Sequence, residues 1–262
     1  MNTTTSLLDR KLNSFAITCF RDTADFDYIS ARQSHRAHLV PQFLWSCQQA
    51  LEKYLKCLLL LNRVPATNIS HDLQKALNLV ETRLPFSIKL NDEIRRFISR
   101  MDSTGRYRYM EASQDVRHLD LVTLDWAVWT IRRYCQSMNY DLRTFGGPIV
   151  NMLDLMRTEI ERSESKPPHE FRLIGGALED VISNRDHPAR AALVWNNCCF
   201  GSRHRKKLRL STYSAGINSP FFLHPELLAE AEKYVMVPRD VKHAYAEMAR
   251  KEAGAHGATG VS

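Results

Sequence analysis

The segment Pro41–Leu61 constrains the fold more than any other part of this 262-residue chain. Its sequence, PQFLWSCQQALEKYLKCLLLL, predicts a long helix that is apolar on almost every side. The polar residues form one narrow strip, which consists of Gln48, Gln49, Glu52, Lys53 and Lys56. Such a helix is stable in water only when other helices, or a second copy of itself, surround it. The segment therefore predicts an all-α bundle.

Helical periodicity predicts four further helices before residue 145. Their expected positions are Asp22–Ala37, a helix capped by Ser70 or Asp72 and ended by Pro85, Asn91–Met101, and Val116–Met138. The residues expected to face the core are Phe26, Ile29 and Ser30 in the first, Leu73, Ala76, Leu77 and Val80 in the second, Ile94, Phe97 and Ile98 in the third, and Leu119, Val122, Trp126 and Trp129 in the last. With Pro41–Leu61 they predict an up-and-down bundle of about five helices.

The chain changes character near residue 145. We expect the bundle to occupy residues 1–145. Residues 146–168 should form a helix (Ile149–Ser163) and a linker, residues 169–251 an irregular extension of loops and short helices, and residues 252–262 a disordered tail. Within the extension, weak strand patterns occur at Ala191–Val194 and Leu208–Tyr213, and clearer helical patterns at Pro225–Tyr234 and Pro238–Lys251. The extension carries no pattern that indicates a reaction.

The charge balance favours a polyanionic partner. The formal net charge is +7, and arginine, which grips phosphate with two bonds and stacks on bases, outnumbers lysine. A basic but otherwise ordinary soluble surface fits the same numbers. The sequence contains no run of 18 apolar residues that would predict a membrane span, and its first residues lack the pattern of a signal peptide. We therefore expect a cytoplasmic protein that does not enter the membrane.

The cysteines predict neither a metal site nor a disulfide framework. There are six, none of them in a Cys-x-x-Cys pair, and two, Cys47 and Cys57, lie within the apolar helix. Zinc needs a set of well-spaced ligands, and no such set is visible. We expect reduced thiols that act as small apolar side chains, and no metal or other cofactor.

Two motifs together resemble the HEPN domain. They are the string Gln48-Gln49-Ala50-Leu51-Glu52-Lys53 with Lys56 on the long helix, and His71-Asp72-Leu73 at the start of the next. The resemblance covers roughly residues 20–140 and implies a helical bundle that usually dimerises. The extension resembles those of some bacterial HEPN proteins of unassigned role. His71 and Asp72 are better explained as a helix start than as an acid–base pair, because Asp72 suits the N-terminal end of a helix.

The resemblance also raises the question of ribonuclease activity. Many family members cleave RNA without metal, using an arginine followed after four to six residues by a histidine near the start of the last core helix. Arginine would stabilise charge on the phosphate and histidine would transfer protons. Three pairs have this spacing, about as many as chance predicts, and none is at the family's position: Arg32/His38, Arg162/His169 and Arg250/His256.

At that position the chain has Arg117 and His118 as direct neighbours. Adjacent residues on a helix point about 100° apart, so this pair departs from the family pattern. We retain Arg117 and His118 as the candidate catalytic residues, on the hypothesis that folding brings them together with Arg108.

Two basic segments are candidates for RNA or nucleotide binding. Arg106, Tyr107, Arg108 and Tyr109 resemble the Arg-Tyr pair of nucleotide-binding family members, and offer phosphate contacts and base stacking. The densest basic run contributes Arg203, Arg205, Lys206, Lys207 and Arg209. Each segment also has an interpretation without ligand binding: in the first the tyrosines would pack against the bundle, and the second would be a solvated loop.

The sequence is compatible with three functions. The first is a HEPN-like dimer that binds nucleotide or RNA without cleaving it, in a bacterial defence or toxin–antitoxin context. The second is a metal-independent HEPN ribonuclease with a displaced Arg/His pair. The third is a non-catalytic structural partner of a nucleotidyltransferase-like protein.

Overall fold

The structure is a computed structural model that describes residues 6–104, 111–143, 146–163, 174–201 and 213–247. In chain order its helices are α1 (Leu7–Ala16), α2 (Thr23–Arg36), α3 (Val40–Leu61), α4 (Leu73–Arg83), α5 (Asp92–Thr104), α6 (Asp120–Arg132), α7 (Leu153–Ser163), α8 (Ala177–Ser183), α9 (Arg190–Val194), α10 (Pro220–Leu223) and α11 (Leu227–Ala231). A π-helical turn, Ile17–Asp22, joins α1 to α2, and residues 239–247 are also helical. The strands are β1 (Gln114–Val116), β2 (Asp141–Arg143), β3 (Ile149–Asn151) and β4 (Ala215–Ile217). The all-α prediction is confirmed.

Helix α3 is the centre of the bundle. Thirteen of its 22 residues are buried, and it contacts α1, α2, α4, α5 and α6. The helix begins one residue before Pro41 and ends at Leu61, where the sequence predicted. Its nearly continuous apolar surface is therefore covered by other helices of the same chain, as the sequence required.

Helices α4 and α5 also follow the sequence prediction closely. Asp72 caps α4, since its Oδ1 accepts a hydrogen bond from the backbone N–H of Lys75 at 2.8 Å. The expected core residues of both helices are buried: Leu73, Ala76, Leu77, Val80, Ile94, Phe97 and Ile98. Local periodicity decides these helices because their inward faces are wholly apolar.

The predicted inward faces of α2 and α6 are wrong in part. Phe26 is 54% exposed and Ser30 is also exposed, while Ile29 alone of that stripe is buried. Leu119, the residue before α6, and Trp126 within it are exposed, while Val122 is half-buried and Trp129 is buried. The true inward faces carry charged side chains among their apolar ones: Asp25, Arg32, Asp125 and Arg132. Charges at those positions hid the core face from a hydrophobicity pattern.

Helix ends also differ from the prediction. The first helical stretch begins at Leu7 rather than Asp22, and Ser6 caps it through a hydrogen bond from the backbone N–H of Asp9 at 3.0 Å. Helix α6 is shorter than Val116–Met138, because residues 114–116 form β1 instead. The strand pairing of β1, which depends on a segment a hundred residues away, overrides the local helical pattern.

Two small antiparallel sheets complete the fold. Strand β1 pairs with β4, with Gln114 opposite Ile217 and Val116 opposite Ala215. Strands β2 and β3 form a second pair, so residues 149–151 are extended where the sequence predicted the start of a helix. Ala191–Val194 is helical as part of α9 rather than a strand, and the predicted strand Leu208–Tyr213 lies outside the described residues except for Tyr213.

Residues on both sides of position 145 share one buried core. Ile160 of α7, Leu178 of α8 and Leu193 of α9 join the same cluster as the residues of α3. A second, small cluster consists of Val237, Val241 and Tyr245, with Phe221 and Leu228 against it. In place of the predicted helix Pro225–Tyr234 the structure has the shorter α11, and helical residues begin at 239 after Pro238. Within the described residues, no helix is both long and apolar enough to span a membrane.

Candidate nucleic-acid interface

The polar strip of α3 anchors the loop that precedes α4. Glu52 is 4% exposed; its Oε1 accepts a hydrogen bond from Lys56 Nζ at 2.6 Å, and its Oε2 lies 2.9 Å from His71 Nδ1. Gln48 Nε2 donates to the carbonyl oxygen of His71 at 3.0 Å, and Lys56 donates to that of Ser70 at 2.8 Å. The two sequence motifs that carried the family resemblance therefore bind each other.

The same contacts set the charge state of Glu52. Burial opposes ionisation of its carboxyl group, but the hydrogen bonds from Lys56 and His71 outweigh burial and lower its pKa below the ordinary value. Lys53 pairs instead with Asp27 of α2. The strip is thus an internal scaffold feature, and the helix-start role predicted for Asp72 is confirmed by its cap on α4.

Replacing Glu52 with glutamine should lower the free energy of unfolding at neutral pH by about 1–3 kcal/mol, because Lys56 and His71 lose a buried charged acceptor. The effect should shrink as the pH falls through the lowered pKa of Glu52, since the stabilisation needs the ionised carboxylate. Urea denaturation at neutral and acidic pH measures both. Glu81→Gln, which affects a surface pair with Arg95, is the control and should cost less than about 1 kcal/mol. An equal cost for both variants would contradict the anchoring role.

Arg117 and His118 lie together in the turn between β1 and α6. Both side chains are exposed, and both line an open pocket of about 480 Å³. The other lining residues are Asp115, Val116, Ser214, Ala215 and Gly216, so the paired ends of β1 and β4 form the wall. Because α6 begins only at Asp120, the pair is not on the helix, and the 100° separation expected for helical neighbours does not apply.

Asp120 and Arg100 fix this turn. Asp120 Oδ2 accepts a hydrogen bond from the backbone N–H of Arg117 at 2.7 Å, and its Oδ1 pairs with the Arg100 guanidinium. Arg100 also donates to the carbonyl oxygen of Asp115 at 3.1 Å and lies over the ring of Phe97. These contacts, from a buried carboxylate and a nearly buried arginine, hold the backbone of the pocket in place.

The electrostatics of the pocket suit an anion. Arg117 Nε lies 3.1 Å from Asp115 Oδ2, an exposed ion pair of little energetic weight that leaves the rest of the guanidinium open to solvent. An arginine and a histidine side by side supply hydrogen-bond donors for a phosphate oxygen. The pocket therefore has the chemistry to bind a phosphodiester.

Arg32 is unable to take part in phosphate binding. It is fully buried, pairs with Asp125, and donates to the carbonyl oxygens of Ala192 (3.2 Å) and Trp195. The Arg32/His38 pair is thereby excluded as a catalytic pair, as its position in the sequence indicated. His169 of the second pair and Arg250 and His256 of the third lie outside the described residues.

The structure contains two buried polar networks that the sequence reading missed. In one, Asp125 accepts hydrogen bonds from Arg32 and from Tyr28 Oη (2.6 Å). In the other, Asp25 accepts from Arg132 (2.7 and 2.8 Å) and from Tyr54 Oη (2.6 Å). Each is a tyrosine–aspartate–arginine cluster. The spacing of these residues could have indicated the first network. Asp25, Tyr28 and Arg32 recur every three or four residues, as core residues of a helix do, and lie among buried alanines and an isoleucine.

Both networks bind the extension to the bundle. The backbone N–H of Cys198 donates to Asp125 at 3.4 Å, and that of Leu178 donates to Asp25 at 3.4 Å. Arg132 also forms a two-bond pair with Glu179 of α8, at 2.7 and 2.8 Å. The polar core is therefore structural, because it binds α8, α9 and the residues after α9 to the bundle.

The cysteines agree with the sequence prediction of apolar packing except for Cys19, which is exposed. All six are free thiols; Cys47, Cys57, Cys135 and Cys199 are buried, Cys198 is half-buried and Cys19 is exposed. Burial raises the pKa of Cys47, Cys135 and Cys199 well above the ordinary value, which keeps them protonated. Among the described residues, no group of three or more His, Cys, Asp or Glu side chains is placed to hold a metal ion.

The two predicted basic segments lie outside the described residues. These are Arg106, Tyr107, Arg108 and Tyr109, and Arg203, Arg205, Lys206, Lys207 and Arg209. In the sequence, Tyr109 precedes β1 by five positions and Arg209 precedes β4 by six. Each segment therefore leads into one of the two strands that form the wall of the pocket.

Comparison with known proteins gives one match. Residues 19–119 match a family model described as HEPN domain, which confirms the resemblance drawn from the α3 and α4 motifs. The match extends from the π-helical turn to the turn before α6, so it includes Arg117 and His118. No curated protein and no solved structure matches the chain significantly.

Proposed function

We propose that the protein, whose residues 19–119 match the model of the HEPN domain, binds RNA or a nucleotide, as a homodimer, without cleaving it. The observation that carries the proposal is the pocket in which Arg117 and His118 lie side by side. A guanidinium beside an imidazole, both exposed on a backbone held by Arg100 and Asp120, is a rigid phosphate site.

The basic segments extend this site in the proposal. In the sequence, Arg106–Tyr109 and Arg203–Arg209 precede the two strands that wall the pocket. We expect these arginines, lysines and tyrosines to contact further phosphates and bases of the bound RNA. Neutralising several phosphates makes binding depend strongly on salt, while stacking adds little dependence on sequence.

The homodimer is supported by the outward face of α6. Leu119 directly follows His118 and is 37% exposed, and Trp126, two turns along the helix, is 39% exposed. Both are large apolar side chains at the surface, Leu119 next to the pocket residue His118, and a second copy of the chain would cover them. The predicted defence or toxin–antitoxin context and a nucleotidyltransferase-like partner stay predictions from the sequence.

Arg117→Ala should weaken RNA binding about tenfold, because one charged phosphate contact is lost. Fluorescence anisotropy with a labelled single-stranded RNA of about 20 nucleotides measures this, at salt concentrations between about 50 and about 200 mM. The affinity of the unmodified protein should fall steeply over that range. Sedimentation velocity on the same samples reports whether the protein is a dimer.

The matched control is Arg83→Ala, which removes an exposed arginine from the C-terminal end of α4 that does not line the pocket. It should bind RNA as the unmodified protein does. Equal affinities for all three proteins, or binding that salt does not weaken, would contradict the proposal.

Ribonuclease activity is the second candidate, and one observation favours it. Arg117 and His118 face the same pocket even though their spacing departs from the family pattern. His118 would transfer protons and Arg117 would stabilise the charge on the phosphate. The same RNA, incubated with the protein and EDTA, separates the two functions: intact RNA supports binding alone, whereas fragments that decrease about 100-fold or more with His118→Ala support cleavage.

A further inference from the structure

Two residues at the C-terminal end of α2, Arg36 and His38, each contact an aromatic ring from the extension. The ring of His38 stacks on that of Tyr213, with centroids 3.9 Å apart and planes 11° from parallel. Arg36, the last residue of α2, lies over the ring of Trp195 at 5.6 Å. Arg36 and His38 are exposed, and Tyr213 and Trp195 are half-buried. The stack therefore presents aromatic surface at the outside of the bundle.

The backbone holds His38 in an unusual conformation. Its φ is 60°, in the left-handed region that favours glycine. Helix α2 ends there in a Schellman motif, with hydrogen bonds from His38 N to His35 O (3.1 Å) and from Leu39 N to Ser34 O (2.9 Å). Glycine would be the least strained residue at this position, so the histidine ring is present at a conformational cost.

Tyr213 also contacts a buried ring of the core. The ring of His35, which is 2% exposed, meets Tyr213 edge-on at 5.6 Å and Phe43 at 5.0 Å. Burial, followed by the charges of Arg32 and His38, lowers the pKa of His35 to about 4, so this supporting ring is neutral at physiological pH. The stack thus rests on a rigid, uncharged base.

The stack adjoins the phosphate pocket. Ser214, the residue after Tyr213, lines that pocket together with Arg117 and His118. Continuing the register of β1 and β4, in which Val116 is opposite Ala215, places Arg117 opposite Ser214. Tyr213 of the stack and Ser214 of the pocket are therefore consecutive residues, so the aromatic surface and the anion pocket adjoin each other along the chain.

We propose that the exposed face of the His38–Tyr213 stack binds an unpaired nucleobase of an RNA strand whose phosphate is held at Arg117, with Arg36 adding positive charge beside it. The proposal rests on the proposed function and names its ligand more closely: single-stranded RNA. Bases in a duplex are already stacked on each other, whereas an unpaired base is free to stack on a protein ring. Stacking of this kind is tolerant of sequence.

The test compares a single-stranded RNA with an oligomer of equal length that lacks bases. The unmodified protein should bind the base-bearing strand about tenfold more tightly. His38→Gly and His38→Asn should abolish that preference while keeping the fold, because both residues tolerate a left-handed φ. An unchanged or raised unfolding midpoint checks the fold. His243→Ala, which removes an exposed histidine from the helical residues 239–247, is the control and should keep the preference.

The outcomes separate this inference from the function on which it rests. If the unmodified protein binds neither oligomer, the proposed function itself fails. If it binds both oligomers equally, with salt dependence and a requirement for Arg117, RNA binding stands and the stacking site is overturned. A preference for bases that persists in both His38 variants would overturn it as well.

Discussion

Asp125→Ala is expected to lower the free energy of unfolding by about 3–5 kcal/mol. Asp125 is fully buried and accepts hydrogen bonds from Arg32 and Tyr28. Removing the carboxylate leaves a buried guanidinium without its counter-charge. The penalty comes mainly from that unpaired charge, because a buried ion pair as such adds little net stability over an apolar core.

Urea denaturation followed by circular dichroism measures this loss. Asp186→Ala is the matched control, since Asp186 is exposed in the loop between α8 and α9, and should change stability by less than about 0.5 kcal/mol. Because Arg32 also binds the carbonyl oxygens of Ala192 and Trp195, amide hydrogen exchange should rise first around α9. A loss below about 1 kcal/mol would show that Arg32 finds other partners and that the network is not essential.

Stability should also fall by about 3 kcal/mol as the pH drops from about 6.5 to about 4, because of His35. Burial, and then the positive charges of Arg32 and His38, lower the pKa of the folded imidazole to about 4 from its ordinary 6.5. Between these values the unfolded chain binds a proton that the native protein does not. The neutral ring therefore contributes fully above about pH 6.5, and the contribution is lost on acidification.

Urea titrations of the unmodified protein and of His35→Phe, across this pH range, isolate the effect. Phenylalanine retains a ring against Phe43 and Tyr213 but does not titrate, so carboxyl groups elsewhere cancel in the difference. The curve of the variant should be flatter by about 3 kcal/mol. Parallel curves would mean that His35 titrates normally in the folded protein.

The sequence was sufficient for those parts of the fold that depend on local pattern. Helices α3, α4 and α5 were predicted from their periodicity, because the buried side chains of α4 and α5 are wholly apolar and those of α3 are apolar apart from Gln48 and Glu52. The cap at Asp72 was predicted from the preference of aspartate for that position. Arg117 and His118 were found from their place relative to the family motifs, and both line one pocket.

Partners distant in the chain decided the rest. Arg32 and Asp125 are 93 positions apart, and Asp25 and Arg132 are 107 apart, yet each pair is buried together. A prediction from hydrophobicity alone assigns charged residues to the surface. It does not take into account the opposite charge, distant in the sequence, that makes burial of such a residue tolerable. The same limit applies to β1, whose partner strand β4 lies about a hundred residues further on.

By itself, then, the sequence determined the apolar central helix, the bundle around it and the cap at Asp72, since these follow from periodicity and local preference. Only the tertiary structure decided that the α3 strip binds His71, that two ion pairs tie the extension to the bundle, and that Arg117 and His118 share a pocket beside the His38–Tyr213 stack. The physical reason is that burial of charge and the shape of a pocket depend on residues that only the folded chain brings together.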